Sequence, residues 1–408
     1  MNATDIIRRR FIRPLEGKRT GIIGVELEFP LVNDAKKPID INIALSLLEH
    51  FLHCGFSVAE RTEDGHPAFI ENSDGDVLSF DNSYNNFEFS MNCGNDLMAI
   101  ASRFEGYLST ADTYLRHHNY QLVGRGTNPN AKCIEQSHVN YAVYNMIDEF
   151  LHTGGEHNFP DFPAYLSSVQ THLDIDFDEI PKAFNLFAKI AFARVLLFGN
   201  SPGFNGEKVL CYRDYLWEKS AFGCVGGITG KVDNEIKSID DIVDSFLNRK
   251  IFNIRRNGKY VLIAPTPIRD YFNQCDAREE DIECFLSFRD VELTYRGTLE
   301  VRGDCAQPLD DAFMPPAFNL GLTHNLDRAV ALTDEFFIAN SITKNNTDLR
   351  NDAIASGTVD GVDDNALSEY LLKLCKISSN GLIGRGKNEQ SLLKGIFDRA
   401  MTLTCPAK

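Results

Sequence analysis

The chain has 408 residues, 43% hydrophobic and 24% charged, a composition that suits a globular fold with a large core and argues against disorder. Its formal net charge of −17 argues against nucleic acid and anionic membranes as partners, because both attract basic surfaces. The longest apolar run, Ile190 to Phe198 interrupted by Arg194, is far short of the ~20 residues that cross a bilayer.

Length alone suggests about two or three domains of ~150 residues. No linker, low-complexity stretch or repeat marks a boundary, so the expectation is a single domain over 1–408 with a helical C-terminal part over 309–408. Arg8, Arg9, Arg10 and Arg13 are followed by no apolar segment, which does not read as a secretory signal and leaves the cytoplasm as the default. Ten cysteines without a CxxC pair suggest reduced, mostly structural thiols.

In chain order, the first patterned element is Gly24 to Phe29, whose period-two alternation reads as a strand. Val25, Leu27 and Phe29 share one face, which leaves Glu26 and Glu28 side by side on the other. Ile41 to His53 follows with helical spacing. Asp81 lies in a turn-like Asp81-Asn82-Ser83, just before a second strand, Asn86 to Met91, in which Glu88 stands between Phe87 and Phe89. Leu97 to His117 is the next expected helix.

Val169 to Phe177 reads as a third strand, with Gln170, His172 and Asp174 on one face. A helix is expected over Ala183 to Phe198, ended by Asn200-Ser201-Pro202-Gly203, which taken alone could be simple turn chemistry. Arg213 and Trp217 come next. By themselves they read equally well as a surface ion pair and a core aromatic.

Gly223, Gly226, Gly227 and Gly230 match neither a P-loop nor a dinucleotide fingerprint. After a helix over Ile239 to Leu247, Thr298 to Arg302 forms a fourth strand with Thr298, Glu300 and Arg302 on one face. Helices over Ala329 to Ile338, Ala366 to Cys375 and Ser391 to Ala400 complete the pattern. Irregular mixing of helices and strands predicts an α+β fold with a largely antiparallel sheet.

If the four strands share one sheet, its polar face gathers Glu26, Glu28, Glu88, Glu300 and His172. Carboxylates so placed repel one another unless a cation joins them. Hard oxygen ligands on adjacent strands suit Mg²⁺ or Mn²⁺, with phosphate oxygens and water completing the shell. Each glutamate alone would read as a solvated surface residue, and His172 alone as a hydrogen-bonded strand histidine.

These blocks, in this order, resemble the glutamate-cysteine ligase family, closest to its plant and proteobacterial type. Gly24-Val25-Glu26-Leu27-Glu28 is similar to its first metal-binding strand, Asp81 with Asn86 to Ser90 to its second acidic block, and Ser168 to Asp174 to its central strand. Asn200-Ser201-Pro202 resembles its Ala-Asn-Ser-Pro loop, Arg213 and Trp217 its Arg-x-x-x-Trp element, and Leu299 to Asp304 its Leu-Glu-x-Arg-Gly-Ala-Asp strand. The chain departs from the pattern after Trp217. Where plant-type members resemble Asp-x-Asp-x-Asp-Arg-Thr-Gly, it reads Glu218-Lys219-Ser220-Ala221-Phe222-Gly223, and Lys219 is the candidate substitute for the missing arginine.

The resemblance implies a glutamine synthetase-like sheet curved into a funnel, with helices on its outer face. It implies ATP and Mg²⁺ or Mn²⁺, an acyl-phosphate made on glutamate or a related amino acid, and condensation with an amine, cysteine first, as in glutathione biosynthesis. Glu26, Glu28, Asp81, Glu88, His172 and Glu300 are then expected to bind metal or metal-phosphate. Arg302 and Arg213 would neutralise transferring phosphate, and Gln170, Asn200 and Arg302 would hold nucleotide or substrate. The alternatives are a same-fold ligase with another amino acid or peptide acceptor, a phosphotransferase, and an inactive binding homologue.

Overall fold

The computed structural model describes residues 2–131, 137–157, 159–204 and 206–408. The strands are β1 (Ile23–Asn33), β2 (Ser57–Arg61), β3 (Pro67–Glu71), β4 (Val77–Phe80), β5 (Asn86–Gly94), β6 (Tyr120–Leu122), β7 (Ser168–Leu173), β8 (Thr229–Gly230), β9 (Lys250–Arg256), β10 (Lys259–Pro267), β11 (Phe288–Arg289), β12 (Val291–Leu293) and β13 (Leu299–Cys305). The helices are α1 (Ala3–Ile7), α2 (Ile41–Leu52), α3 (Leu97–Arg116), α4 (Ala142–Leu151), α5 (Ile180–Lys189), α6 (Ala191–Phe198), α7 (Tyr212–Glu218), α8 (Ala221–Val225), α9 (Ile239–Asn248), α10 (Ile268–Tyr271), α11 (Met314–Thr323), α12 (Leu326–Ala339), α13 (Asn346–Ser356), α14 (Asp364–Arg385) and α15 (Ile396–Thr402).

One sheet organises these elements, in the order β12-β13-β7-β1-β5-β4-β3-β2, with β6 paired to the end of β1. Its pairings are antiparallel, so the fold is α+β as the irregular patterning predicts.

The alternation read in β1 and β5 decides which face is dry. Val25, Leu27, Phe29, Phe87 and Phe89 point to the back and are buried. There Phe29 meets Phe89 at 6.1 Å between ring centroids, Phe104 of α3 meets Phe89 at 5.1 Å, and Phe51 of α2 stacks on Phe87 at 6.3 Å. Offset and edge contacts of this kind suit the charge distribution of the rings. Both helices start at an aspartate whose side chain accepts a backbone N–H of the first turn, Asp40 for α2 and Asp96 for α3. The back therefore closes as a helix-covered apolar layer, and the polar front is left to line a cavity.

Three expected elements differ. The helix expected over Ala183 to Phe198 is two helices that meet at Ile190, which turns the chain from amphipathic α5, with Lys182 and Lys189 outward, into fully buried α6. The strand expected to reach Phe177 stops at Leu173, after which Asp174 pairs with Lys18 and Phe177 enters a short 3-10 turn. The helix expected over Ser391 to Ala400 breaks at Gly395, whose φ of 89° is left-handed. Periodicity marks amphipathic segments and missed α4, α7, α11, α13 and the β9-β10 hairpin. The helix α11 shows why, because all its residues are buried and no polar stripe is left to reveal a period.

Residues 309–408 carry α11 to α15, and α11 crosses α14 where a Cβ on Gly381 would lie 2.0 Å from the Gly321 carbonyl oxygen. No helix among the described residues is long and apolar enough to cross a membrane. Phe104→Ala should remove the centre of the aromatic layer and lower unfolding free energy by about 3–5 kcal/mol. Urea denaturation followed by far-UV circular dichroism would measure it, and a loss below about 1 kcal/mol would contradict this account of the layer.

Candidate active site

Strand register brings the predicted acidic residues together. Glu28 lies directly opposite Glu88, Glu26 is flanked by Gln170 and Ser90, and His172 is opposite Glu300. Asp81, in the turn before β5, closes the group. Glu26, Glu28, Asp81, Glu88, Gln170, Arg213 and Arg302 all line one solvent-open cavity of about 210 Å³, and His172 and Glu300 adjoin it through Glu26.

The carboxylates differ in what holds them. Glu28 accepts from the Ser168 N–H at 2.9 Å, Gln170 Nε2 at 2.8 Å and Asn86 Nδ2 at 3.4 Å. Glu88 accepts from Ser90 Oγ at 2.5 Å. Burial pushes the Glu88 carboxyl well above its ordinary range, helped by the charges of Glu26, Asp81 and Glu28. Burial and the Glu28 charge raise Asp81 to about 7. Glu28 is raised too, by burial that its hydrogen bonds and Arg213 only partly offset.

Glu26 is the exception. Burial raises its carboxyl, but His172, Arg296 and Arg302 together hold it at about 2.

Glu26, His172 and Glu300 offer three ligand atoms that all lie within 4.8 Å of one another. His172 Nε2 is buried and stands 3.2 Å from Glu26, yet it makes no well-directed hydrogen bond. Gln170 Oε1 is likewise buried without a partner. Crowded, partly protonated carboxylates with an unsatisfied imidazole nitrogen beside them fit a divalent cation that prefers oxygen ligands. The donor set fits Mg²⁺ or Mn²⁺ better than zinc, which favours sulfur and nitrogen.

Behind the cavity lies a buried ion network. Arg194 of α6 binds Asp304 at 3.0 Å and also Asp290, while Arg350 of α13 binds Asp214 at 2.5 Å and the Gly303 carbonyl at 2.8 Å. This explains Arg302-Gly303-Asp304 as local structure. A Cβ on Gly303 would sit 1.4 Å from Asp290 Oδ1, and a register shift between Val301 and Asp304 turns Asp304 to the back, where Arg194 and Asn319 meet it. Arg302 stays at the front, donates to the Ser287 carbonyl at 2.7 Å and lies over the Phe288 ring.

Two expectations need correction. Asn200 does not line the cavity, because its Nδ2 donates to the Gly124 and Ala306 carbonyls at 3.0 and 2.7 Å. Its loop acts on the site indirectly: the Ser201 carbonyl accepts from the Tyr212 N–H at 2.6 Å and Ser201 Oγ from the Arg213 N–H at 3.4 Å, which seats the start of α7. Lys219 is half-exposed, outside the cavity lining, and pairs with Glu156.

Arg213 and Trp217, one turn apart on α7, both face the cavity, and Trp217 stacks on Phe288 at 4.6 Å. Sequence reading missed Tyr144, Asp214, Glu218, Lys231, Asp290 and Arg296. Tyr144, Asp214, Glu218, Lys231 and Asp290 line the same cavity, and Arg296 reaches Glu26 at 3.4 Å. Only the adjacency of Asp214 and Glu218 to the Arg213–Trp217 element could have signalled any of them. The described cysteines are free thiols, and Cys133 lies outside the described residues.

The family model described as glutamate-cysteine ligase family 2 matches residues 22–373. The solved structure of a glutamate-cysteine ligase from Francisella tularensis in complex with AMP is similar, with 11% identity, a TM-score of 0.52, and coverage of 96% of this chain and 84% of that one. A bifunctional glutathione synthetase from Pasteurella multocida aligns with 13% identity and a TM-score of 0.47, over 95% of this chain and 47% of its own. No curated protein matches the chain.

The acidic cluster also makes a prediction about pH. Folded and metal-free, Asp81 keeps its proton up to about pH 7, whereas the unfolded chain loses it near pH 4. The folded state thus binds the extra proton between these values, so this group's contribution to stability falls as pH rises through that window. A cation must displace that proton below pH 7. The rise in melting temperature caused by Mg²⁺ should therefore be larger at pH 8 than at pH 6, and Asp81→Asn should flatten the difference. Melting curves of both proteins at the two pH values would check it.

Proposed function

The chain belongs to glutamate-cysteine ligase family 2, and on that premise we propose that it is an ATP-dependent carboxylate-amine ligase that activates the side-chain carboxylate of glutamate and joins it to cysteine. The observation that supports this most is the meeting of four carboxylates, Glu26, Glu28, Asp81 and Glu88, with two arginines at one cavity, His172 and Glu300 standing beside Glu26.

The donor carboxylate attacks the γ-phosphorus of ATP, giving an acyl-phosphate and ADP. The acceptor amine then displaces phosphate, forming the amide and releasing a proton and inorganic phosphate. Such a reaction asks the protein for alignment and charge neutralisation more than for covalent participation. When bound, Mg²⁺ or Mn²⁺ held by Glu26, Glu28, Asp81, Glu88, His172 and Glu300 supplies neutralisation of the phosphate oxygens.

Arg302 and Arg213 contribute fixed positive charge where the phosphoryl group transfers. Their positions need no reorganisation during reaction, because the Ser287 carbonyl holds Arg302 and Arg213 is buried beside it. Gln170 fixes Glu28 through its Nε2 and leaves its oxygen toward nucleotide or substrate.

The test is phosphate release from ATP and Mg²⁺ with glutamate and a panel of amines, with mass spectrometry of the product. Release that requires both substrates, with a condensation product, is expected with cysteine. A phosphorylated product without free phosphate would instead indicate a phosphotransferase. Glu300→Gln should lower kcat by about 10²-fold or more with an unchanged circular dichroism spectrum, and near-normal turnover would remove Glu300 from the assignment.

A further inference from the structure

Lys231 is the cavity's least expected residue. It follows β8 at Gly230, whose φ of 82° turns the chain inward, and its side chain is only 3% exposed although it lines the cavity. Its Nζ donates to Asp214 Oδ2 at 2.5 Å and to Glu218 Oε1 at 2.6 Å. An ammonium carries three N–H groups, so one donor remains after these two.

The surrounding carboxylates are not equally satisfied. Asp214 is bound by Arg350, and Asp290 and Asp304 by Arg194. Glu218 is hydrogen-bonded by Lys231 alone among the described residues, and its Oε2 keeps no partner there. Its side chain is 25% exposed and lines the same cavity. A spare ammonium donor and a half-used carboxylate thus stand together on the α7–β8 wall, away from the strands that carry the acidic cluster.

We infer that Lys231 and Glu218 form the clamp that selects a zwitterionic amino-acid end of the donor, Lys231 taking its carboxylate and Glu218 its ammonium. This rests on the ligase reading and names two specificity-determining residues for it. The physical reason is charge pairing. On this wall Lys231 is already neutralised by Asp214 and the partly exposed Glu218, while Arg350 and Arg194 serve Asp214, Asp290 and Asp304. A ligand end carrying both signs can open the Lys231–Glu218 contact and replace it with two contacts of the same kind. A carboxylate without the amine leaves Glu218 facing a second anion, so the same pair rejects it.

The experiment is titration calorimetry of L-glutamate and of glutarate, its deaminated counterpart, into the full chain with Mg²⁺ and a non-hydrolysable ATP analogue. Wild type should prefer glutamate by at least about tenfold. Glu218→Gln should bring the two affinities within about threefold while leaving the nucleotide affinity unchanged. Lys231→Met should weaken both ligands together, and Lys231→Arg should restore part of the loss. If Lys231→Met fails to fold, Glu218→Gln still decides, because that residue is partly exposed and its side chain bonds only Lys231 among the described residues. A Glu218→Gln protein that keeps the full preference overturns the inference while the ligase reading stands. A wild type that binds the nucleotide analogue but neither glutamate nor glutarate overturns the glutamate-ligase reading, and the clamp with it.

Discussion

The structure turns on the repulsion among Glu26, Glu28, Asp81 and Glu88. Antiparallel register places Glu28 against Glu88, and like charges directly opposite on a sheet destabilise it. Such a cluster is tolerated only where the rest of the fold over-determines it. Here the reverse faces of the same strands carry Val25, Leu27, Phe29, Phe87 and Phe89, whose burial against α2 and α3 fixes the register. A slip of one residue would exchange that apolar layer with the carboxylates, so the core enforces the geometry that the front resists. Burial answers the remaining repulsion by raising carboxyl proton affinities, which leaves the metal-free protein holding protons that a cation would release.

Positive charge reaches the cavity by a different route. Buried ion pairs cost desolvation and repay it only when every member is well partnered. Arg194, Arg350, Asp214, Asp290 and Asp304 largely meet that condition by binding one another and nearby carbonyls, with Arg194 Nε and Asp290 Oδ1 left without a hydrogen bond. The network ties α6, α7, α13 and β13 together, so Arg213 on α7 and Arg302 on β13 are presented from one rigid unit. Arg350 comes from the C-terminal helices, which therefore shape the site without lining it.

Seen together, the two charge systems divide the cavity. One wall, from β1 and β5, gathers negative charge that invites a cation and phosphate. The other, from α7, β8 and β13, offers arginines, Lys231 and Glu218 beside the Trp217 and Phe288 rings. Such a division sets opposite charges on facing walls, the kind of preorganisation that the proposed phosphoryl transfer would reward.

By itself the sequence determined the strands β1, β5, β7 and β13, and with them which of their polar residues share a face. Period-two alternation is a local property that survives folding, so Glu26, Glu28, Glu88, Gln170, His172, Glu300 and Arg302 could be placed from spacing alone. Ordered blocks of residues also pointed to the family. Only the tertiary structure decided the rest, because it depends on contacts between distant residues. Arg350 meets Asp214 across 136 positions, and no local pattern announces a buried ion pair. Lys219 and Lys231 could not be ranked by spacing, since one leaves for Glu156 while a turn at Gly230 carries the other inward. Asn200 looked like a ligand because its loop is distinctive, yet the carbonyls of Gly124 and Ala306 claim its amide. Periodicity reports which side of an element is buried, whereas a binding site depends on which buried groups find each other.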